Sequence, residues 1–234
     1  MYRTSIFEGL IVAFLLETSY AQCITPAEKE LQLVCMQKTI IIKNLRVADF
    51  KTPNRSLKEA RKEVCGWKGV ECDNDYVNRI QWANTKFQVH SLDWFPPSLR
   101  KILLVHHAYT KILNTRNLAR HLIVCIMRLC RIYGEVDLQT LPHNIEVLSL
   151  RRNSLSGCLY ITQLPPSIRF IDLSSNQFEA LYVDTTKLPR SLVNLAMHKE
   201  KNHAQIVFLK NSPKDSRIQQ GYGEHPSIIN SFLS

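Results

Sequence analysis

The residues able to do chemistry in this chain are seven cysteines, an adjacent histidine pair and a scatter of arginines. The cysteines are Cys23, Cys35, Cys65, Cys72, Cys125, Cys130 and Cys158, and an odd number of thiols cannot all pair. A zinc site wants two cysteines separated by two residues, or paired histidines. Cys125 and Cys130, with His121 nearby, match that spacing poorly, so no metal site is expected. His106 and His107 would suit proton transfer if they converged. Neighbouring side chains on a strand point to opposite faces, so the two are not expected to share one site. No nucleophile-elbow, zinc-protease or phosphate-loop motif appears. The chain is read as a non-enzyme that needs no cofactor.

Composition sets the next bounds. At 234 residues and 45% apolar, with few glycines, the chain can bury a core. The formal net charge is +10 and the isoelectric point about 9.3, which favours acidic partners. Acidic protein, sulfated glycan, anionic lipid and nucleic acid all meet that description, and charge alone does not choose among them.

Residues 1–21 read as an export signal. Arg3 precedes the apolar run Leu10–Leu16, and Ser19-Tyr20-Ala21 offers small residues where a signal peptidase cuts. Glu8 and Glu17 fit such a signal badly, and a short anchor or an atypical cytosolic N-terminus are the alternatives. No later stretch is apolar enough for a membrane helix, and the C-terminus is too polar for a lipid-anchor signal. A secreted or cell-surface product is the expectation.

The arginines and histidines are positioned by a pattern that occurs twice over. Leu141-Pro142-His143-Asn144-Ile145-Glu146-Val147-Leu148-Ser149-Leu150-Arg151-Arg152-Asn153-Ser154-Leu155 is answered by Leu164-Pro165-Pro166-Ser167-Ile168-Arg169-Phe170-Ile171-Asp172-Leu173-Ser174-Ser175-Asn176-Gln177-Phe178. Both are apolar at places 1, 5, 8, 10 and 15, with Asn at place 13. This resembles the leucine-rich repeat. Copies begin at Asp73, Phe95, Leu118, Leu141, Leu164 and Leu188. The resemblance implies an α/β solenoid, a short horseshoe of about six coils of 22–24 residues. Each coil would give one strand to a parallel concave sheet and an irregular or short helical return. Place 13 is Asn only at Asn153 and Asn176; Thr85, His107, Cys130 and Glu200 stand there in other coils.

Ahead of the repeats, Cys65-Gly66-Trp67-Lys68-Gly69-Val70-Glu71-Cys72 resembles the N-terminal cap of plant-type extracellular leucine-rich-repeat proteins. The resemblance implies a Cys65–Cys72 disulfide and a buried Trp67, which suit a small plug with little core of its own. Cys23 and Cys35, both in the cap, are the other candidate pair. Cys125 and Cys130 are expected as buried thiols and Cys158 as the exposed one. Thr25-Pro26-Ala27-Glu28 and Ser56-Leu57-Lys58-Glu59 each carry the signature of a capped helix start. Between them lies the sequon Asn54-Arg55-Ser56, a candidate glycosylation site. The expected organisation is therefore signal 1–21, cap 22–76, repeats 77–210 and C-terminal cap or tail 211–234.

The Leu-Pro-Pro-Ser opening of the coils also resembles leucine-rich-repeat surface proteins of trypanosomatid and bodonid protists, which implies a surface or secreted binding protein. In this register Leu103, Val105, Val124, Ile126, Val147 and Phe170 fall on the concave face as an exposed apolar patch. Arg128, Arg151, Arg152 and Lys199 fall along one edge as a basic ridge. An apolar centre rimmed by arginine is the composition of a protein-binding surface. Its alternative is a solvated face free to vary. The expected function is recognition of a protein or glycoprotein ligand of acidic character, with nucleic acid set aside. Binding of acidic glycan or membrane, intracellular scaffolding if the signal is false, and a decaying family copy are the other readings.

Overall fold

The computed structural model describes residues 24–40, 46–51, 56–83, 89–107, 109, 111–197, 205–209 and 212–219. Asn54, Lys199, Cys23, Thr85 and Glu200 lie outside them, as does the segment read as an export signal.

Helix α1 (Pro26–Thr39) opens on the expected capping box, with the Thr25 hydroxyl accepting from the Glu28 N–H and the Glu28 carboxylate accepting from the Thr25 N–H. It ends where the β-branched run begins, and Ile40 forms an antiparallel bridge with Val89. Gln32 ties the helix to the first hairpin, accepting from the Val77 N–H at 2.7 Å and donating to the Asp75 carbonyl at 3.0 Å. The one-turn helix α2 (Leu57–Ala60) starts on Ser56.

The cap then closes the end of the main sheet. Strands β1 (Val70–Asp73) and β2 (Tyr76–Ala83) pair antiparallel, and the Cys65–Cys72 disulfide is present with Cα atoms 5.8 Å apart. Trp67 is fully buried and its indole N–H donates to the Ala60 carbonyl. Trp82 is equally buried and donates to Lys68. Gly69 is required here: its φ is +75°, and a Cβ would sit 2.2 Å from the Gln81 carbonyl oxygen.

From β2 the main sheet is parallel. It runs through β3 (Lys101–Val105), β4 (Val124–Arg128), β6 (Val147–Ser149), β8 (Phe170–Asp172) and β10 (Asn194–Ala196). It then continues to β12 (Ile218–Gln219), inside the stretch expected to be a cap or tail. Places 8 and 10 of the first five coils point into one continuous core: Ile80, Trp82, Ile102, Leu104, Cys125, Met127, Leu148, Leu150, Ile171 and Leu173 are all 0–1% exposed.

The return segments differ from expectation. Beside short 3₁₀ turns they form a second parallel sheet of β5 (Tyr133–Gly134), β7 (Ser154–Ile161), β9 (Gln177–Val183) and β11 (Gln205–Phe208). Its sequences explain it, because β7 and β9 place Leu155, Leu159, Ile161, Phe178, Leu181 and Val183 against the core. Side chains cap the 3₁₀ turns at the same point of three coils: Asn114, Asp137 and Asp184 each accept from the backbone N–H two residues on.

Two further side-chain features stitch coil to coil. The serine of the Leu-Pro-Pro-Ser opening donates to carbonyls of the preceding coil. Ser98 reaches Val77, Ser167 reaches His143 and Ile145, and Ser191 reaches Pro166 and Ile168. At place 13, Asn153 accepts from the N–H groups of Cys130 and Ile132 and donates to the carbonyls of Met127 and Leu150. Asn176 repeats the arrangement one coil on, and His107 and Cys130 are weaker stand-ins. The His107 Nε2 contacts the Trp82 carbonyl at 3.0 Å, and the Cys130 thiol donates to the Arg128 carbonyl at 3.2 Å.

Candidate functional site

Strand register decides what shares the concave face. Arg79, Lys101, Val124, Val147, Phe170 and Asn194 are successive partners across the sheet. Two residues on, Gln81, Leu103, Ile126, Ser149, Asp172 and Ala196 form the next row. The expected rows are the observed rows.

Their exposure is not as expected. Leu103 is 8% exposed, Val124 0%, Ile126 1% and Val147 1%. They form a second apolar cluster, apart from the main core, with Val105, Ile123 and Phe170 packed against it. Parallel strands stand about 4.8 Å apart, so branched side chains in register touch the next strand's side chain. The apolar residues of this face are therefore mostly buried, and only Val105 and Phe170 are half-exposed among the six.

The basic ridge is corrected too. Arg128 is not a free rim charge. Its Nε donates to the Ser149 hydroxyl at 2.9 Å and its Nη2 lies 3.7 Å from Asp172 Oδ2. Asp172 in turn accepts from the N–H and hydroxyl of Ser174. Burial pulls the Arg128 guanidinium below its usual range, opposed by Asp172 and reinforced by Arg151. Arg151 is half-buried, whereas Arg152 is exposed.

The histidine pair behaves differently from two adjacent strand residues. β3 stops at Val105, and His106 takes a left-handed φ of +60°. With the strand alternation gone, exposed His106 and buried His107 both line one cleft of about 320 Å³. Leu129, Arg131, Arg152, Asn153 and Ser154 complete it. Sequence reasoning passed over Arg131, and it assigned Arg152 to the ridge rather than to a cavity. The missed signal was place 12: His106, Leu129, Arg152 and Ser175 occupy it in four coils, all with φ between +54° and +60°.

The cysteines fall as follows. Cys35, Cys125 and Cys130 are buried thiols, and Cys158 is half-buried on β7 rather than fully exposed. Burial pushes the thiols up, Cys35 and Cys130 to about 11 and Cys125 to about 12. Such thiols make poor nucleophiles. Among the described residues no group of His, Cys, Asp and Glu is arranged to hold a metal ion, and no helix is long and apolar enough to cross a membrane.

No family model and no curated protein matches the sequence. Among solved structures the chain is similar to one from the crystal structure of the BIR3–SERK2 complex of Arabidopsis thaliana. The TM-score is 0.51 at 15% identity, covering 82% of this chain and 98% of that one. The fold is a leucine-rich-repeat-like solenoid. In this solenoid Leu103, Val124, Ile126 and Val147 give the middle of the concave sheet a buried apolar floor, and the turns after β4 and β6 present exposed Arg131 and Arg152. Arg152 is the candidate residue that belongs to both the ridge and the cleft.

Proposed function

We propose that this solenoid is an exported, non-enzymatic binding module for a protein or glycoprotein of acidic character. The observation that carries the reading is the exposed positive group at the turns beside the concave sheet. Arg152 and Arg131 stand together there beside His106, which half-exposed Val105 precedes in the chain. Leu103, Val124, Ile126 and Val147 then shape and stiffen the floor rather than touch the ligand. Arg128 holds Asp172 and sets the edge on which Arg151 and Arg152 meet the partner. The disulfide fits an oxidising compartment, in keeping with cleavage after Ala21, a glycan on Asn54 and a secreted or surface location. The likeness to the SERK2–BIR3 structure is to a protein complex, which fits a protein ligand. The resemblance to protist surface leucine-rich-repeat proteins points the same way.

The test is capture of secreted and surface proteins by the wild type and by an Arg151→Glu/Arg152→Glu variant. A partner held by the first and lost by the second supports the reading, and one held equally by both removes the basic edge from it. The mass of the exported product, with and without reductant, reads cleavage, glycosylation and the disulfide together. Binding of acidic glycan or membrane by charge alone is the second reading, favoured by the net charge of +10. Elution from heparin at a few hundred millimolar salt, with no saturable protein partner, would establish it instead.

A further inference from the structure

The cleft at the strand ends is built across three coils. His106, Leu129 and Arg152 occupy place 12 of successive coils with φ of +60°, +54° and +55°. Strands stacked at about 4.8 Å set His106 and Arg152 roughly 10 Å apart, with Leu129 between them. Arg131 enters from the turn of the middle coil, itself at φ +58°, and the Ser154 hydroxyl comes from the start of β7. The Asn153 side chain fixes this turn through four backbone hydrogen bonds, so the cleft is held open before any ligand arrives.

Charge separates these arginines from several others of the molecule. Arg79, Arg128, Arg169 and Arg217 each face a carboxylate, from Glu71, Asp172, Glu146 and Asp215. Arg131 and Arg152 have no ion pair among the described residues, and no carboxylate lines the cleft. Two guanidiniums around one concavity repel one another unless an anion sits between them. Planar guanidinium forks and a hydroxyl match the oxygens of a tetrahedral oxyanion.

We infer that this cleft is a specific subsite for a sulfate or phosphate monoester, held between Arg131 and Arg152 with Ser154 and His106 completing the donor set. It rests on the binding-module reading only in supposing that a partner presents the group. Partner capture and small-anion binding are separate measurements.

The experiment titrates the full chain at low salt with inorganic sulfate, inorganic phosphate, glucosamine 6-sulfate, O-phosphoserine and acetate, following backbone amide resonances and heat. Saturable shifts centred on residues 106, 129–131 and 152–154 are expected with the tetrahedral anions and not with acetate. An Arg131→Gly/Arg152→Gly variant keeps the left-handed backbone and should lose at least about tenfold in affinity. An Arg116→Ala/Arg120→Ala variant, with the same change of charge at exposed positions, should lose none. If the glycine variant does not fold, Arg131→Lys/Arg152→Lys should still weaken binding severalfold by removing the forks. Preference for the sugar sulfate identifies a glycan source, preference for phosphoserine a phosphorylated one, and equal affinity for the free ions recognition of the group alone. Absence of a saturable site, or equal loss in both double variants, overturns the subsite. A chain that binds no small anion yet loses its captured partner on charge reversal would remove the subsite and leave the binding module standing.

Discussion

Arg128 and Asp172 meet across a strand. They belong to β4 and β8, with β6 between, and their Nη2 and Oδ2 atoms lie 3.7 Å apart over the Ser149 hydroxyl. The Arg128 side chain is 27% exposed and that of Asp172 7%, so the pair is largely withdrawn from water. Removing one partner from such a pair strands the other's charge. Asp172→Ala is expected to cost about 2 kcal/mol in urea unfolding, less than a fully buried pair because Arg128 reaches solvent. Arg128→Met/Asp172→Leu should be more stable than the sum of the single changes predicts, since it removes both charges at once. Strict additivity would show that the two do not interact.

The cap depends on Gly69. With φ at +75° and a Cβ position 2.2 Å from Gln81 oxygen and 2.8 Å from Trp82 Cδ1, no side chain fits without moving β2. Gly69→Ala is expected to destabilise by more than about 3 kcal/mol. Cys65→Ser/Cys72→Ser opens only a short loop and should cost about 2.5 kcal/mol. A thermal-denaturation series that ranks the disulfide above the glycine would contradict this order.

Alkaline pH should weaken the fold through its buried thiols. Folding raises Cys35, Cys125 and Cys130 from the usual 9.0 to about 11, 12 and 11. The folded state therefore holds protons that the unfolded chain gives up. The contribution is fully present below pH 9 and is lost as pH climbs through the folded values of about 11–12. Unfolding followed from pH 8 to pH 11 should show stability falling. In the native protein at pH 8, Cys158 should be alkylated before Cys35, Cys125 and Cys130. Rapid labelling of Cys125 at that pH would mean the core is open.

Ser175 is a place where the protein can be improved. Its φ is +56°, and its hydroxyl is buried without a hydrogen-bond partner among the described residues. Glycine relieves the left-handed backbone and removes the orphaned hydroxyl, against a larger entropy loss on folding. Ser175→Gly should stabilise by about 1 kcal/mol in chemical denaturation. Destabilisation would mean that the hydroxyl has a partner in solution.

Much of the architecture was legible because it repeats. The spacing of Leu141, Ile145, Leu148 and Leu150 is that of a coil pointing places 1, 5, 8 and 10 inward, and all four are buried. The concave rows followed from the same register. The second sheet was not foreseen: β7 and β9 show their alternation only against the core they cover. The sequence also offered no sign that the turn serines would reach back to the preceding coil's carbonyls, since a Pro-Pro-Ser motif reads locally as a turn.

What the sequence alone determined is which residues lie in a coil's interior and which lie in its strand. Those are local facts, encoded in spacing along one chain. Only the tertiary structure decided what neighbouring coils do to one another. Stacking in register buried Val124, Ile126 and Val147 on the face expected to be open, and it brought Asp172 to Arg128 from two strands away. It also gathered His106, Arg131 and Arg152 around one cleft. Exposure and charge pairing are set by distances between strands, and a one-dimensional pattern does not contain those distances until the coils are laid side by side.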